Sequence, residues 1–158
     1  MVHRRCYRDI VRWATVALLL LVGCSDLRDF HGTWSGPRVG DARALRVGVQ
    51  DGNAMLAIDA IDAHSLSARL TVDGLVPETA IASLDGAEAD VLAGITFSGA
   101  PLRVFLAFTP VPGGGDALVV IALYDDRRIE VRVLRGGAAP LYGIYALREA
   151  TAVARSAP

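Results

Sequence analysis

From Phe30 to Leu147 apolar side chains recur at every second position, and Gly, Asp or Pro interrupts the pattern about every ten residues. A repeat of two places neighbouring side chains on opposite faces of an extended strand, whereas an amphipathic helix needs a repeat of 3.6. The alternation is clean in three places. Leu66, Ala68, Leu70 and Val72 share a face opposite Ser67, Arg69 and Thr71. Ile129, Val131 and Val133 oppose Glu130 and Arg132, and Leu45, Val47 and Val49 oppose Arg46 and Gly48. Each of these strands has one dry and one wet face. Two runs are apolar on both faces, Leu102 to Phe108 with only Arg103 intervening and Ala117 to Leu123 without interruption, and these are expected at the centre of the core.

The breaks have the chemistry of turns. Asp51-Gly52, Asp73-Gly74 and Asp85-Gly86 are tight-turn dipeptides, Pro110 to Gly115 makes a looser connection, and Asp125 to Arg128 is a further turn. Strands are expected at residues 32–36, 44–49, 54–61, 66–72, 79–84, 91–97, 102–109, 117–124, 129–135 and 141–148. The class is all-β. Eight to ten antiparallel strands in about 120 residues close most economically into a small barrel, because closure removes exposed edges; a two-sheet β-sandwich is the alternative.

Residues 1 to 23 differ from the rest. Arg4, Arg5, Arg8 and Arg12 precede an apolar run from Trp13 to Val22, the pattern of a signal helix. Ten apolar residues rise roughly 15 Å as a helix, too short for a bilayer core of about 30 Å. The run ends in Leu21-Val22-Gly23-Cys24, which resembles the lipobox of bacterial lipoproteins. That resemblance implies cleavage before Cys24 and attachment of diacylglycerol to its thiol, so that Cys24 holds the membrane through acyl chains of the palmitate type. Ser25 after the Cys implies the outer membrane, facing the periplasm, as the destination. Two or three acyl chains hold a protein on a bilayer where one would not.

Removing residues 1–23 takes away four Arg and one Asp, which leaves 135 residues with twelve Arg against sixteen acids, a net charge of −4. Cys6 leaves with the signal and Cys24 is consumed by lipid, so the core holds the fold without a disulfide. A negative chain is not expected to bind nucleic acid, which calls for a basic face. The expected organisation is a signal peptide over 1–23, a tether over 24–29, a β-barrel domain over 30–148 and a flexible tail over 149–158.

Gly32-Thr33-Trp34, in the run Phe30 to Trp34, resembles the Gly-x-Trp opening of lipocalins and related calycin barrels. The resemblance implies that Trp34 packs across the barrel floor, and that an Arg late in the barrel, here Arg148, packs over it. It also brings in a lipocalin-like carrier of a hydrophobic small molecule, with Trp34, Phe105, Ala122 and Tyr124 as pocket-lining candidates. Small residues such as Ala122, between Val120 and Tyr124, leave space for a guest in an eight-stranded barrel, although side chains alone can fill one of that size.

Catalytic parts are scarce. His31 and His64 are the only His after the signal. Asp59, Asp62 and His64 are close in sequence, but Asp59 and Asp62 face opposite sides of a strand, and a solvated turn explains them better than a metal site. No metal or other cofactor is expected, and no enzyme. The favoured reading is a non-enzymatic envelope lipoprotein whose β domain is structural or binds another envelope protein; the alternative is the carrier of an apolar small molecule.

Overall fold

In a computed structural model, the described residues are 26–39, 48–49, 52–85, 96–111, 115–138 and 140–150. The expected signal over 1–23, Cys24, residues 44–47 and 91–95 of two expected strands, and 151–158 of the expected tail lie outside them. The chain enters through a one-turn 3-10 helix, η1 (Leu27–Phe30), capped by Asp26, whose side chain accepts from the Arg28 N–H. The strands are β1 (Gly32–Val39), β2 (Gly48–Val49), β3 (Asn53–Ile61), β4 (Ser65–Val72), β5 (Val76–Asp85), β6 (Arg103–Pro110), β7 (Asp116–Tyr124), β8 (Arg128–Arg135) and β9 (Leu141–Glu149).

Strand order follows chain order apart from β2, and β1 pairs with both β3 and β9, so eight antiparallel strands make a nearly closed barrel rather than a sandwich. The two residues of β2 take over from β1 beside β9, running parallel at Leu141 and Tyr142. Among the described residues the ladder between β5 and β6 is short: Leu84↔Leu106 and Asp85↔Phe105 are paired, against eight pairs between β6 and β7.

Alternation explains the interior. Trp34, Leu56, Leu66, Leu70, Phe105, Ile121, Leu123, Ile129, Tyr145 and Leu147 all point inwards and are fully buried. At the entry end Phe30 stacks on Trp34, with ring centroids 5.6 Å apart, and the Trp34 indole N–H donates to the Phe30 carbonyl over 2.9 Å. At the far end Leu75 and Val111, from the connections after β4 and β6, are buried, and Arg135 donates to the Leu75 carbonyl across the mouth. At the seam where the barrel closes, a Cβ on Gly36 of β1 would stand 2.0 Å from the Ala146 carbonyl oxygen of β9.

Three expectations need correction. The tether expected over 24–29 is already folded from Asp26, because Leu27 packs against the core and Phe30 is buried beneath Trp34. Glu149 and Ala150 of the expected tail belong to the barrel, since β9 includes Glu149 and the Ala150 N–H donates to the Thr33 carbonyl. Of the strand expected at 91–97, Thr96 and Phe97 are not in a strand; they start a strap that crosses the outside of the barrel.

Candidate functional site on the outer face

Cross-strand partners share a face of a sheet, and on this barrel that rule assembles a second apolar surface outside. Leu106, Val120, Arg132 and Ile144 form one outward row across β6 to β9, and Val104, Ala122, Glu130 and Ala146 form the next towards the entry end. Phe108, Leu118, Leu134 and Tyr142 form a third towards the far end. The entry-end half is covered: Phe97 packs on a cluster of Val104, Val120, Ala122 and Tyr124. This is why the runs Leu102 to Phe108 and Ala117 to Leu123 are apolar on both faces. One face fills the barrel and the other fills this external cluster.

The cover is fastened by charge. Glu130, only 3% exposed, is a buried carboxylate on an outer face that is apolar apart from it and Arg132. Its oxygens accept from the Arg132 guanidinium at 2.6 and 2.7 Å, from the Ser98 hydroxyl and from the Tyr124 hydroxyl at 3.3 Å. Arg132 also donates to the Thr96 carbonyl and lies 5.1 Å from the centre of the Phe97 ring. Arg128 donates to the Ser98 hydroxyl and stacks 3.8 Å over the Tyr124 ring. Burial pushes the Glu130 carboxyl up, but the hydrogen bonds from Ser98 and Arg132 and the Arg132 charge outweigh it and hold the group below its ordinary value of 4.5. A carboxylate held this way is a weak base, and the Ser98 hydroxyl points its proton at that carboxylate. The constellation fastens residues 96–98 to β7 and β8.

Among the described residues nothing comparable covers the far-end half. Phe108 is 74% exposed and Leu134 40%, and Leu118, Val120, Leu134 and Tyr142 line a shallow groove of about 160 Å³ together with Arg132. Phe108 and Leu134 are exposed and Leu118 and Tyr142 beside them half-buried, an apolar strip open to solvent in part, and apolar side chains grouped in this way mark a candidate interaction surface.

The four pocket candidates do not share a cavity. Trp34 and Phe105 lie inside the barrel, whereas Ala122 and Tyr124 lie outside it. The reason is register. Phe105 pairs with Ile121, so Ile121 turns inwards with it, and the even-numbered Val120, Ala122 and Tyr124 turn outwards with Val104. Arg148 does not cover Trp34 either. It pairs with Ser35 in the sheet, points outwards and binds Asp126 through its carbonyl and carboxylate, because the inward positions of β9 are Tyr145 and Leu147.

The Asp59, Asp62 and His64 group is likewise dispersed. Asp62 accepts the His64 and Ser65 N–H groups at 2.7 Å in the β3–β4 turn, which lowers its pKa, and Asp59, at a bulge in β3, is bonded to Arg69. No three His, Cys, Asp or Glu converge among the described residues.

Ser98, Arg128, Glu130 and Arg132 did not stand out in the sequence, where Glu130 and Arg132 look like an ordinary wet face. The available signal was the doubly apolar β6 and β7, which needs a second covering layer. Comparison with known protein families, curated proteins and solved structures gives no match.

Proposed function

We propose that this chain is a lipid-anchored lipoprotein of the bacterial envelope, held on the outer membrane and facing the periplasm, whose barrel is a non-enzymatic protein-interaction module. The observation that carries the reading is the contrast between the two apolar surfaces. The interior is occupied by Trp34, Phe105 and Tyr145 at 0% exposure, while the row Phe108, Leu118, Leu134 and Tyr142 stands outside. A filled barrel supports an interaction role over the carriage of an apolar guest.

The anchor rests on Leu21-Val22-Gly23-Cys24. Asp26, the first described residue, is two residues beyond Cys24, and η1 enters at the end of the barrel that bears the 62–64 and 125–127 turns. A lipid on Cys24 would seat that end against the bilayer and leave the exposed row on the flank towards the other end.

Labelled fatty acid is expected to enter the wild-type protein and to be absent from Cys24→Ala. Equal labelling of both, or no labelling with an intact signal, would overturn the anchor. Native mass spectrometry of protein from its own host is expected to show an empty barrel; a retained apolar molecule would favour the carrier reading instead.

A further inference from the structure

Arg132 stands between the two halves of the outer apolar face. It lines the open groove beside Leu118, Val120, Leu134 and Tyr142, and it also pairs with Glu130 and holds the Thr96 carbonyl of the strap. On the other side of it, Val104, Val120, Ala122 and Tyr124 lie under the strap, each at most 7% exposed. A Cβ on Gly99 would stand 3.6 Å from the Tyr124 ring, so the strap reaches over that ring as well.

The strap and the strands beneath it are held in different ways. β8 is paired along its whole length, with eight partners on β7 and seven on β9. Residues 96–101 belong to no strand, and the bonds described for them converge on Arg128, Glu130 and Arg132, with the Phe97 ring packed below. Only beyond them does a backbone bond tie the chain to the barrel, from the Leu102 N–H to the Leu123 carbonyl. A segment fastened at a few side chains opens at far lower cost than a ladder does.

We infer that the strap is an acid-released cover: when Glu130 takes up a proton, residues 96–101 leave the barrel, Arg132 turns into solvent, and the two apolar halves of the outer face join. The charges around the carboxylate give the reason. Arg132 and Arg128 face it from β8, the second at 3.9 Å, the Tyr124 phenol faces it from β7 and the Ser98 hydroxyl from the strap. Its neighbour on β9 is the uncharged Ala146. Asp126, in the turn before β8, lies 3.6 Å from Arg128 and is shared with Arg148. Among the described ion pairs Arg128 therefore has a second carboxylate, whereas Arg132 has Glu130 alone. Neutralising Glu130 leaves Arg132, 14% exposed, as a buried cation without its anion, the costly way to break a buried pair. The guanidinium regains water by turning outwards, and the Thr96 bond and the Phe97 contact go with it.

The direction follows from linkage. With the strap closed, burial raises the Glu130 carboxyl, but the bonds from Ser98 and Arg132 and the Arg132 charge hold it below 4.5. With the strap open the carboxyl is hydrated and titrates near 4.5, so the open form binds the proton more tightly. Above 4.5 the cover is shut; between the two values the ratio of open to closed rises about tenfold for each unit of pH lost. Use of the joined face by a partner rests on the interaction reading. The release itself does not.

Radical footprinting of the full-length chain reads the release without a partner. Tyr124 lies under the cover at 2% exposure and Tyr145 inside the barrel at 0%, so one molecule carries both the reporter and the control for unfolding. From pH 7 to pH 3.5 oxidation of Tyr124 is expected to rise several-fold while Tyr145 stays protected. Glu130→Gln should show the raised Tyr124 level already at pH 7, with no further rise in acid. Ser98→Ala removes the strap's bond to the carboxylate and keeps the Glu130–Arg132 pair; it should raise Tyr124 oxidation at pH 7 and retain the acid response.

Tyr124 protected throughout, Tyr124 and Tyr145 exposed together in acid, or an acid response of Glu130→Gln equal to that of wild type would each overturn the release. If Glu130→Gln exposes Tyr145 at pH 7 it has unfolded, and the wild-type and Ser98→Ala profiles decide. None of these outcomes bears on the anchor or on interaction against carriage, which fatty-acid labelling and native mass spectrometry decide separately.

Discussion

Replacing Trp34 by Ala separates a packed barrel floor from an incidental aromatic. Trp34 is fully buried, its ring stacks on Phe30, and its indole N–H satisfies the Phe30 carbonyl. Truncating a buried Trp costs about 3 to 5 kcal/mol. The stacked pair contributes about 0.5 to 1.5 kcal/mol beyond area burial, and a buried carbonyl left without its donor costs about 1 to 3 kcal/mol. These effects overlap, so Trp34→Ala is expected at the top of the truncation range, about 5 kcal/mol. With a urea slope near 2 kcal/mol per molar, the midpoint should fall by about 2.5 M. Trp34→Phe keeps most of the volume and loses the donor, so it should cost about 2 kcal/mol. Far-UV circular dichroism against urea serves all three proteins; with residues 1–23 removed, Trp34 is the only Trp, and its fluorescence reports the wild type independently. If both variants stay within about 1 kcal/mol of wild type, the account of the barrel floor is refuted.

The clasp makes stability depend on acid. The Glu130 carboxyl is lowered in the folded state, so its contribution is fully present above the unfolded value near 4.5 and is lost as pH falls below that through the folded value. Glu130→Gln should cost about 2 to 4 kcal/mol at pH 7 by leaving Arg132 without its carboxylate. The gap to wild type should narrow in urea titrations at pH 3.5, and a gap that does not change with pH would count against the clasp. Ala122→Leu overpacks the external cluster under Phe97 and should cost about 1 to 3 kcal/mol, with uptake of a fluorescent fatty-acid probe unchanged. Lower uptake at unchanged stability would instead place Ala122 in a ligand cavity. Gly36→Ala drives a Cβ against the Ala146 carbonyl where β1 meets β9 and should cost about 3 kcal/mol in thermal or urea unfolding; a neutral result would show that this seam can widen freely.

The period-two pattern determined most of the architecture on its own. Expected strands such as 66–72, 117–124 and 129–135 match β4, β7 and β8 to within a residue, and the inward faces of β4 and β8 are the apolar ones. This is legible because alternation and turn residues are local properties: a strand with one dry face and an Asp-Gly or Asp-Asp turn needs no distant partner to declare itself. Trp34 as a buried residue of the first strand was legible for the same reason.

What a doubly apolar strand does with its two faces was not legible. Over β6 and the residue before it, the face bearing Leu102, Val104, Leu106 and Phe108 has more large apolar residues than the face bearing Phe105, yet it is the one that points outwards, to 43% exposure at Leu102 and 74% at Phe108. Only pairing decides this. Phe105 sits opposite Ile121 and Ile121 opposite Val131, and the strongly alternating β8 fixes the direction for all three strands. The same dependence hid the clasp, since Ser98 and Glu130 are 32 residues apart and Arg132 finds Thr96 only when the strap crosses the barrel. Periodicity depends on the dihedral angles of neighbouring residues, and so the sequence alone carries it. Which apolar face becomes interior, and which polar side chains meet, depends on closing one register around eight strands, and only the folded barrel has that register.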